Sequence, residues 1–179
     1  MNALEIFRRH RDELCAAWVD AVFSTYELDT KGFLRTKKDP FLNPVGDMTQ
    51  QCARFLYDAA AGEDLTDEQV RDGIARFVKL RAVQDYPASH GLGVLFLMKN
   101  ILRGKLLPLF AQADMLPGYL EAESRLDTVA LMAFDLYTRD RELVLEQRIK
   151  EIKNQHAQLV RWARTVDGGP VGGSGEPKL

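Results

Sequence analysis

The chain has 179 residues, with 46% hydrophobic and 28% charged side chains. This length and composition are those of one ordinary globular domain, and they exclude wholesale disorder and a second catalytic domain. Lys and Arg number 24 against 26 Asp and Glu, which leaves a formal net charge of -2. Because this balance provides no overall positive field, the sequence predicts no binding to nucleic acid or to an anionic membrane.

Neither a membrane span nor a secretory signal is recognisable. The longest uncharged run, Tyr86 to Met98, has 13 residues, whereas a helix needs roughly 20 apolar residues to cross a bilayer. The first 15 residues contain six charged side chains and no apolar segment. We therefore expect a cytoplasmic protein without a transmembrane segment, in which Cys15 and Cys52 are reduced, buried thiols.

Residues 3 to 25 are predicted to form the first helix, because large apolar side chains recur there at spacings of three, four and seven. The segment Tyr26 to Gly46 lacks this pattern and contains two prolines and two glycines, which predicts a long surface loop. Four apolar residues are expected to pack this loop on the core. Four basic residues form a patch, which either binds an acidic partner protein or is only solvated. The apolar set is Phe33, Leu34, Phe41 and Leu42, and the basic set is Lys31, Arg35, Lys37 and Lys38.

Two helix starts follow the loop. Asp47, with a glutamine three residues later, predicts a second helix that ends near Gly62. Thr66, also with a glutamine three residues later, predicts a third helix. Pro87 is expected to end that third helix, because proline disfavours helical backbone at the residue before it.

The fourth predicted helix is apolar on every side from Leu92 to Met98, which indicates the centre of the core. Gly91 and Gly93 are expected to permit the close approach of a neighbouring helix. Pro108 is predicted to bend or restart the chain. The pair Pro117-Gly118 is predicted to form a turn before the last helix.

One very long helix is predicted from Tyr119 to about Arg164, because this stretch contains neither proline nor glycine and keeps helical apolar spacing throughout. In its second half, apolar residues alternate by four and three, which is the spacing of a coiled coil. These positions are Leu145, Ile149, Ile152, His156, Leu159 and Ala163. The glycine-rich stretch after Val166 predicts a disordered tail.

The sequence thus predicts an all-α fold, a bundle of about six helices with a long projecting carboxy-terminal helix. We expect a helical domain at residues 1–145, a coiled-coil extension at 146–165 and a disordered tail at 166–179. A projecting apolar seam favours a partner, and the simplest partner is a second copy of the same helix.

Three histidines are candidates for chemistry. His10 is expected on the solvated side of the first helix. His90 is either an axial ligand for haem in an apolar cavity beside Phe77 and Phe96 or an ordinary helix-start residue, and the absence of any companion motif favours the second interpretation. His156 either sets the register of the seam as a neutral polar residue or loosens a parallel homodimer when it is protonated.

No enzyme site is recognisable. The chain has no paired cysteines, no two histidines at helical spacing and no G-x-S-x-G motif, so we expect neither a closed zinc site nor a nucleophile. Acidic residues cluster around Thr66, where the start of a helix accounts for them. Arg81 and Asp85, four residues apart, are expected to pair on a helix surface. No cofactor is predicted.

Two stretches, taken together, resemble a known family. The first is DPFLNPVG, Asp39 to Gly46, and the second is RAVQDY, Arg81 to Tyr86, followed by the apolar helix Ser89 to Lys99. Both resemble the amino-terminal domain of the RsbRD-type RsbT co-antagonist proteins, which are stressosome components of bacteria. The residues that carry the resemblance are Pro40, Phe41, Asn43, Pro44, Arg81 and Asp85.

The resemblance implies a sensory or protein-interaction domain with a globin-like fold that has lost its haem. Such domains dimerise and pass a signal along an exit helix to a STAS domain. Because this chain ends in a glycine-rich tail, we expect a stand-alone relative without a STAS domain. Similar stand-alone domains occur beside genes of dissimilatory sulfur metabolism and its membrane redox complexes.

The expectation is therefore a non-enzymatic, homodimeric signalling or adaptor domain that binds a further, unidentified protein in a bacterial regulatory or redox-complex context. The alternative is a haem or small-ligand sensor that uses a cavity near His90.

Overall fold

The structure is a computed structural model that describes residues 2–26, 32, 34, 43–84 and 86–167, with side chains up to residue 164. These residues contain five long helices and no strand, which confirms the all-α prediction for this part of the chain. The helices are α1 (Ala3–Phe23), α2 (Pro44–Ala61), α3 (Asp67–Val83), α4 (Ala88–Gln112) and α5 (Leu116–Asp167).

Local side-chain hydrogen bonds set several helix ends. The predicted capping box at Thr66 is confirmed, because its hydroxyl accepts from the amide of Gln69 while the Gln69 side chain accepts from the amide of Thr66. Gly62 ends α2 with a φ of 78°, a left-handed conformation that glycine adopts without a steric penalty. The start predicted at Asp47 is wrong, since α2 begins four residues earlier, with Asn43 as its cap and Pro44 in the first turn.

Pro108 and Pro117 do not lie where the sequence predicts a restart of the chain and a turn. Pro108 lies inside α4 and does not restart the chain, so the described residues form five long helices where about six were expected. Pro117 lies in the first turn of α5, where its missing amide hydrogen costs no intrahelical bond. The turn lies just before it and contains Asp114, which has a φ of 56°.

The chain divides into two compact units, Met1–Arg141 and Glu142–Leu179. In the first unit, α1 packs on α2 and α4, and α3 packs on both α2 and α4. Trp18 lies at the centre of these contacts with no exposed surface, and its indole Nε1 donates to the carbonyl of Val94 at 2.9 Å. This hydrogen bond joins α1 to α4 through the core.

Helix α4 is buried on only part of its surface. Leu92, Val94, Leu95 and Met98 belong to the core as predicted, whereas Phe96 is 48% exposed. Because Phe96 is about half exposed, the prediction that this segment is buried on every side is wrong.

The two glycines at the start of α4 behave differently. A Cβ atom at Gly91 would lie 2.9 Å from Cε2 of Tyr137, which confirms a close approach there. A Cβ atom at Gly93 would meet nothing within 4 Å, so no close approach explains that glycine.

Part of the predicted loop and residues 168–179 of the predicted tail lie outside the described residues. The first two residues assigned to the tail, Val166 and Asp167, belong to α5 instead. Leu34 is buried, as expected for a residue that packs the loop on the core. Of the other loop residues named above, these lie outside the described residues: Lys31, Phe33, Arg35, Lys37, Lys38, Pro40, Phe41 and Leu42.

Candidate interaction surface

The second half of α5 presents a row of exposed apolar side chains. Between Glu142 and Arg164 every side chain except Val144 is exposed. The four large aliphatic residues of the predicted coiled-coil spacing are 46 to 64% exposed. We call the full set the seam: Leu145, Ile149, Ile152, His156, Leu159 and Ala163.

The seam occupies one face of its helix. A helix turns about 100° per residue, so residues spaced by four and three stay within a narrow stripe. Leu143 is 57% exposed and precedes Ile152 by nine residues, which places it on the opposite face. Leu143 is therefore a leucine outside the seam whose exposed fraction is similar to that of the seam residues.

A second group of exposed apolar side chains lies on the first unit, where α4 and α5 run antiparallel. Nζ of Lys99 lies 2.9 Å from the carboxylate of Asp127, and Nη2 of Arg103 lies 2.8 Å from that of Glu123. These two ion pairs show which turns of the helices are adjacent. About one to two turns beyond them along the helices lie three large apolar side chains that are 48 to 69% exposed. We call these three the α4–α5 patch: Phe96, Leu131 and Phe134.

Two residues of the family motif sit at the start of α2. Asn43 is 3% exposed, and its Oδ1 accepts from the amide of Gly46 at 2.8 Å. Its Nδ2 donates to the carbonyl of Leu34 at 2.9 Å, so a single side chain both caps the helix and holds a residue of the preceding segment. Pro44 follows as the first helical residue. These motif positions therefore have a structural role, because Asn43 and Pro44 shape the start of a helix.

Arg81 does not lie on the helix surface, where the sequence analysis placed it. Its side chain has no exposed surface, and Nε donates to the carbonyl of Gly91 at 3.2 Å. Nη1 donates to the hydroxyl of Tyr26 at 3.2 Å. These partners come from α4 and from the segment just after α1, so the local sequence around α3 could not reveal them. Asp85, the predicted partner, lies outside the described residues.

The three histidines occupy different environments. His10 is partly buried, with Nδ1 3.3 Å from a carboxylate oxygen of Glu13. His90 is exposed and lies near Tyr86, with ring centroids 4.6 Å apart. His156 is exposed within the seam.

The side chains named for the haem alternative are not brought together in one apolar environment. Phe77 is fully buried, whereas Phe96 is half-exposed and His90 faces solvent. A haem ligand requires an imidazole held inside an apolar pocket, and these three positions do not provide one. A cleft of about 230 Å³ lies elsewhere in the first unit, beside Ile6 and Leu109.

Both cysteines are free and buried, as predicted. Loss of hydration in the interior raises the pKa of Cys15 to about 11. The same cause raises the pKa of Cys52, which is fully buried. Because the thiolate is the reactive form, neither cysteine is suited to nucleophilic chemistry at neutral pH.

The described residues contain neither a candidate metal site nor a helix that could span a membrane. These residues contain no group of three or more His, Cys, Asp or Glu side chains that could hold a metal ion. None of their helices combines the length and apolar character that a membrane span requires.

Comparison with known proteins identifies one family. The family model described as the RsbT co-antagonist protein rsbRD N-terminal domain matches residues 12–152. The match covers most of the chain, including α2, α3 and α4, and it extends to Ile152 in the seam. No curated protein and no solved structure is significantly similar to the chain.

Proposed function

Because the chain belongs to the RsbRD N-terminal domain family, a stressosome-related signalling family, we propose that it is a non-enzymatic adaptor domain that acts as a homodimer. The dimer forms through the seam on the second half of α5. A signal received by the first unit is passed on as a change in how the two copies of α5 pair, which is the type of two-state element that signalling requires.

The exposure of the seam is the observation that carries this proposal. Burying one leucine or isoleucine side chain contributes about 1.5 to 3 kcal/mol, and the seam offers four of them on one face. Their spacing by four and three matches the packing of a two-stranded coiled coil, in which each such residue inserts between four residues of the facing helix. A second copy supplies that facing helix with the same spacing.

The first experiment places a charge in the seam. We expect Ile152→Asp to raise the dimer dissociation constant by at least about a hundredfold, because two carboxylates would face each other in a desolvated interface. Leu143→Asp is the matched control on the opposite face and should leave dimerisation unchanged. Analytical ultracentrifugation over a range of concentrations measures both. A monomeric parent chain, or equal effects of the two substitutions, would refute a dimer built on the seam.

The α4–α5 patch gives the first unit its own surface for self-association. If Ile152→Asp leaves a weak residual dimer, we assign that dimer to the patch and expect Leu131→Asp to remove it. A residual dimer that persists in the double variant would show that the contact lies elsewhere.

The second experiment determines the direction of pairing. In a parallel dimer, the two copies of Ala163 face each other, so Ala163→Cys should form an interchain disulfide under mild oxidation. Asn154→Cys, nine residues earlier and on the opposite face, should not. The native Cys15 and Cys52 do not interfere, because both are buried. Cross-linking that is equal at the two positions would contradict the parallel arrangement.

The haem alternative has its own test. We expect haemin to produce the same weak absorption spectrum with the parent chain and with His90→Ala, because His90 is exposed and its ring lies against Tyr86. A Soret band that is strong in the parent and lost in His90→Ala would instead favour a haem sensor.

A further inference from the structure

Arg81 is the centre of a buried polar cluster at the connection between α3 and α4. Besides its contacts with Gly91 and Tyr26, its Nη1 lies 3.3 Å from Oε1 of Gln84, and its Nη2 lies 3.4 Å from the carbonyl oxygen of His90. The guanidinium carbon also lies 4.7 Å from the ring centroid of Tyr86, within cation–π range.

Helix α5 contacts the same connection through two residues near the end of the first unit. The hydroxyl of Tyr137 donates to the backbone carbonyl of Tyr86. Nη1 of Arg141 donates to the carbonyl of Ala82 at 3.1 Å, at the end of α3. Tyr86 is therefore shared: its ring lies against the guanidinium of Arg81, and its carbonyl binds α5.

We propose that Arg81 and Tyr86 form a coupling node, through which the α3–α4 connection controls the stability of α5 from Tyr137 to Arg141. The chain continues from Arg141 directly into Glu142, the first residue of the second unit. A change at the node is thereby passed to the helix that carries the seam. This last consequence rests on the proposed function, whereas the effect on α5 itself does not.

The physical basis is the high cost of a buried charge. A guanidinium removed from water is tolerated only while hydrogen bonds satisfy its donors, and losing one partner costs more than the bond itself contributed. When Tyr86 moves, Arg81 loses a ring contact and Tyr137 loses its acceptor at the same time. Because Tyr86 makes both contacts, a change at Arg81 and a change at α5 are coupled.

Hydrogen exchange of the full chain, followed by mass spectrometry, tests the node in the Ile152→Asp background, where pairing through the seam is disrupted. We expect Tyr137→Phe, which removes only a hydroxyl, to speed amide exchange in residues 138–145 by about fivefold to tenfold. Arg81→Lys should have a similar local effect, because a lysine cannot reach all the partners of the planar guanidinium. Exchange in α1 should stay unchanged in both variants.

Arg125→Met is the matched control. Arg125 also donates to a backbone carbonyl, that of Ala60 at 3.0 Å, and it lies on α5 away from the node. The substitution Arg125→Met should leave amide exchange in residues 138–145 unchanged. Unchanged exchange there in both Tyr137→Phe and Arg81→Lys would overturn the proposal, and so would an equal increase in all five helices.

The consequence for the seam is measured separately, by the rate of Ala163→Cys cross-linking in a chain that retains Ile152. Tyr137→Phe should change this rate at least about threefold. An unchanged rate in a confirmed dimer would overturn the coupling to the seam. A parent chain that does not dimerise would refute the proposed function alone and would leave the exchange result intact.

Discussion

Replacing Trp18 with alanine is expected to lower the free energy of unfolding by about 4 kcal/mol, the largest effect of any single substitution considered for the first unit. Trp18 has no exposed surface, and its ring centroid lies 5.6 Å from that of Phe77. Alanine would leave a cavity between α1, α3 and α4 that the surrounding helices cannot close. It would also remove the hydrogen bond to the carbonyl of Val94.

Trp18→Phe separates these two contributions. Phenylalanine keeps most of the ring packing and loses the indole donor, so its cost should be smaller, about 1 to 2 kcal/mol. Urea unfolding followed by circular dichroism measures both variants, at one fixed protein concentration because dimerisation would add to stability. Equal losses for the two substitutions would mean that the hydrogen bond, and not the volume of the side chain, holds these helices together.

Replacing Asn43 with alanine is expected to cost about 3 kcal/mol, which is large for a helix cap. The cap is buried, so its loss leaves the amide of Gly46 and the carbonyl of Leu34 without this partner and without free access to water. Thr66→Ala is the comparison, because Thr66 also caps a helix but is exposed, and its removal should cost about 1 kcal/mol.

Urea unfolding again measures the difference between the two caps. The expected order, with Asn43 well above Thr66, follows from the burial of Asn43 and from its second hydrogen bond, to Leu34. Each side chain otherwise accepts one amide hydrogen bond at its helix start. If the two losses were equal, the hydrogen bond to Leu34 would contribute nothing, and Asn43 would be an ordinary cap.

The helix starts show which features of the fold a local sequence pattern can predict. The capping box at Thr66 was predictable because both of its partners lie within four residues. The start at Asn43 was missed because Asp47, with its own glutamine three residues later, offered an equally good local pattern. The signal that could have found it is the Asn-Pro pair itself, since a cap residue followed by proline is typical of a helix start.

The interior of α4 shows where local sequence fails. Proline inside a helix costs about 3 kcal/mol, so Pro108 predicted an interruption. The helix continues through it because Leu106 and Phe110, two residues to either side, are both fully buried. Their packing on the other helices outweighs the loss of one backbone hydrogen bond.

Of the two candidate sites, the sequence could predict the seam but not the node. The seam could be read from the spacing of Leu145, Ile149 and Ile152, because a coiled-coil face depends only on the periodicity of one helix. The node around Arg81 could not be predicted, because its partners come from the segment after α1, from α4 and from α5, which are brought together only by folding. Nor could the sequence show that Phe96 would stay exposed.

The sequence by itself determined the helical class, most helix positions and the apolar face of the last helix, since these depend on side-chain spacing and on hydrogen bonds within a single turn. The tertiary structure alone decided that Arg81 is buried, that α4 runs through Pro108 and that the carbonyl of Tyr86 binds α5. Each of these depends on free energy contributed by residues distant in sequence, which no local pattern records.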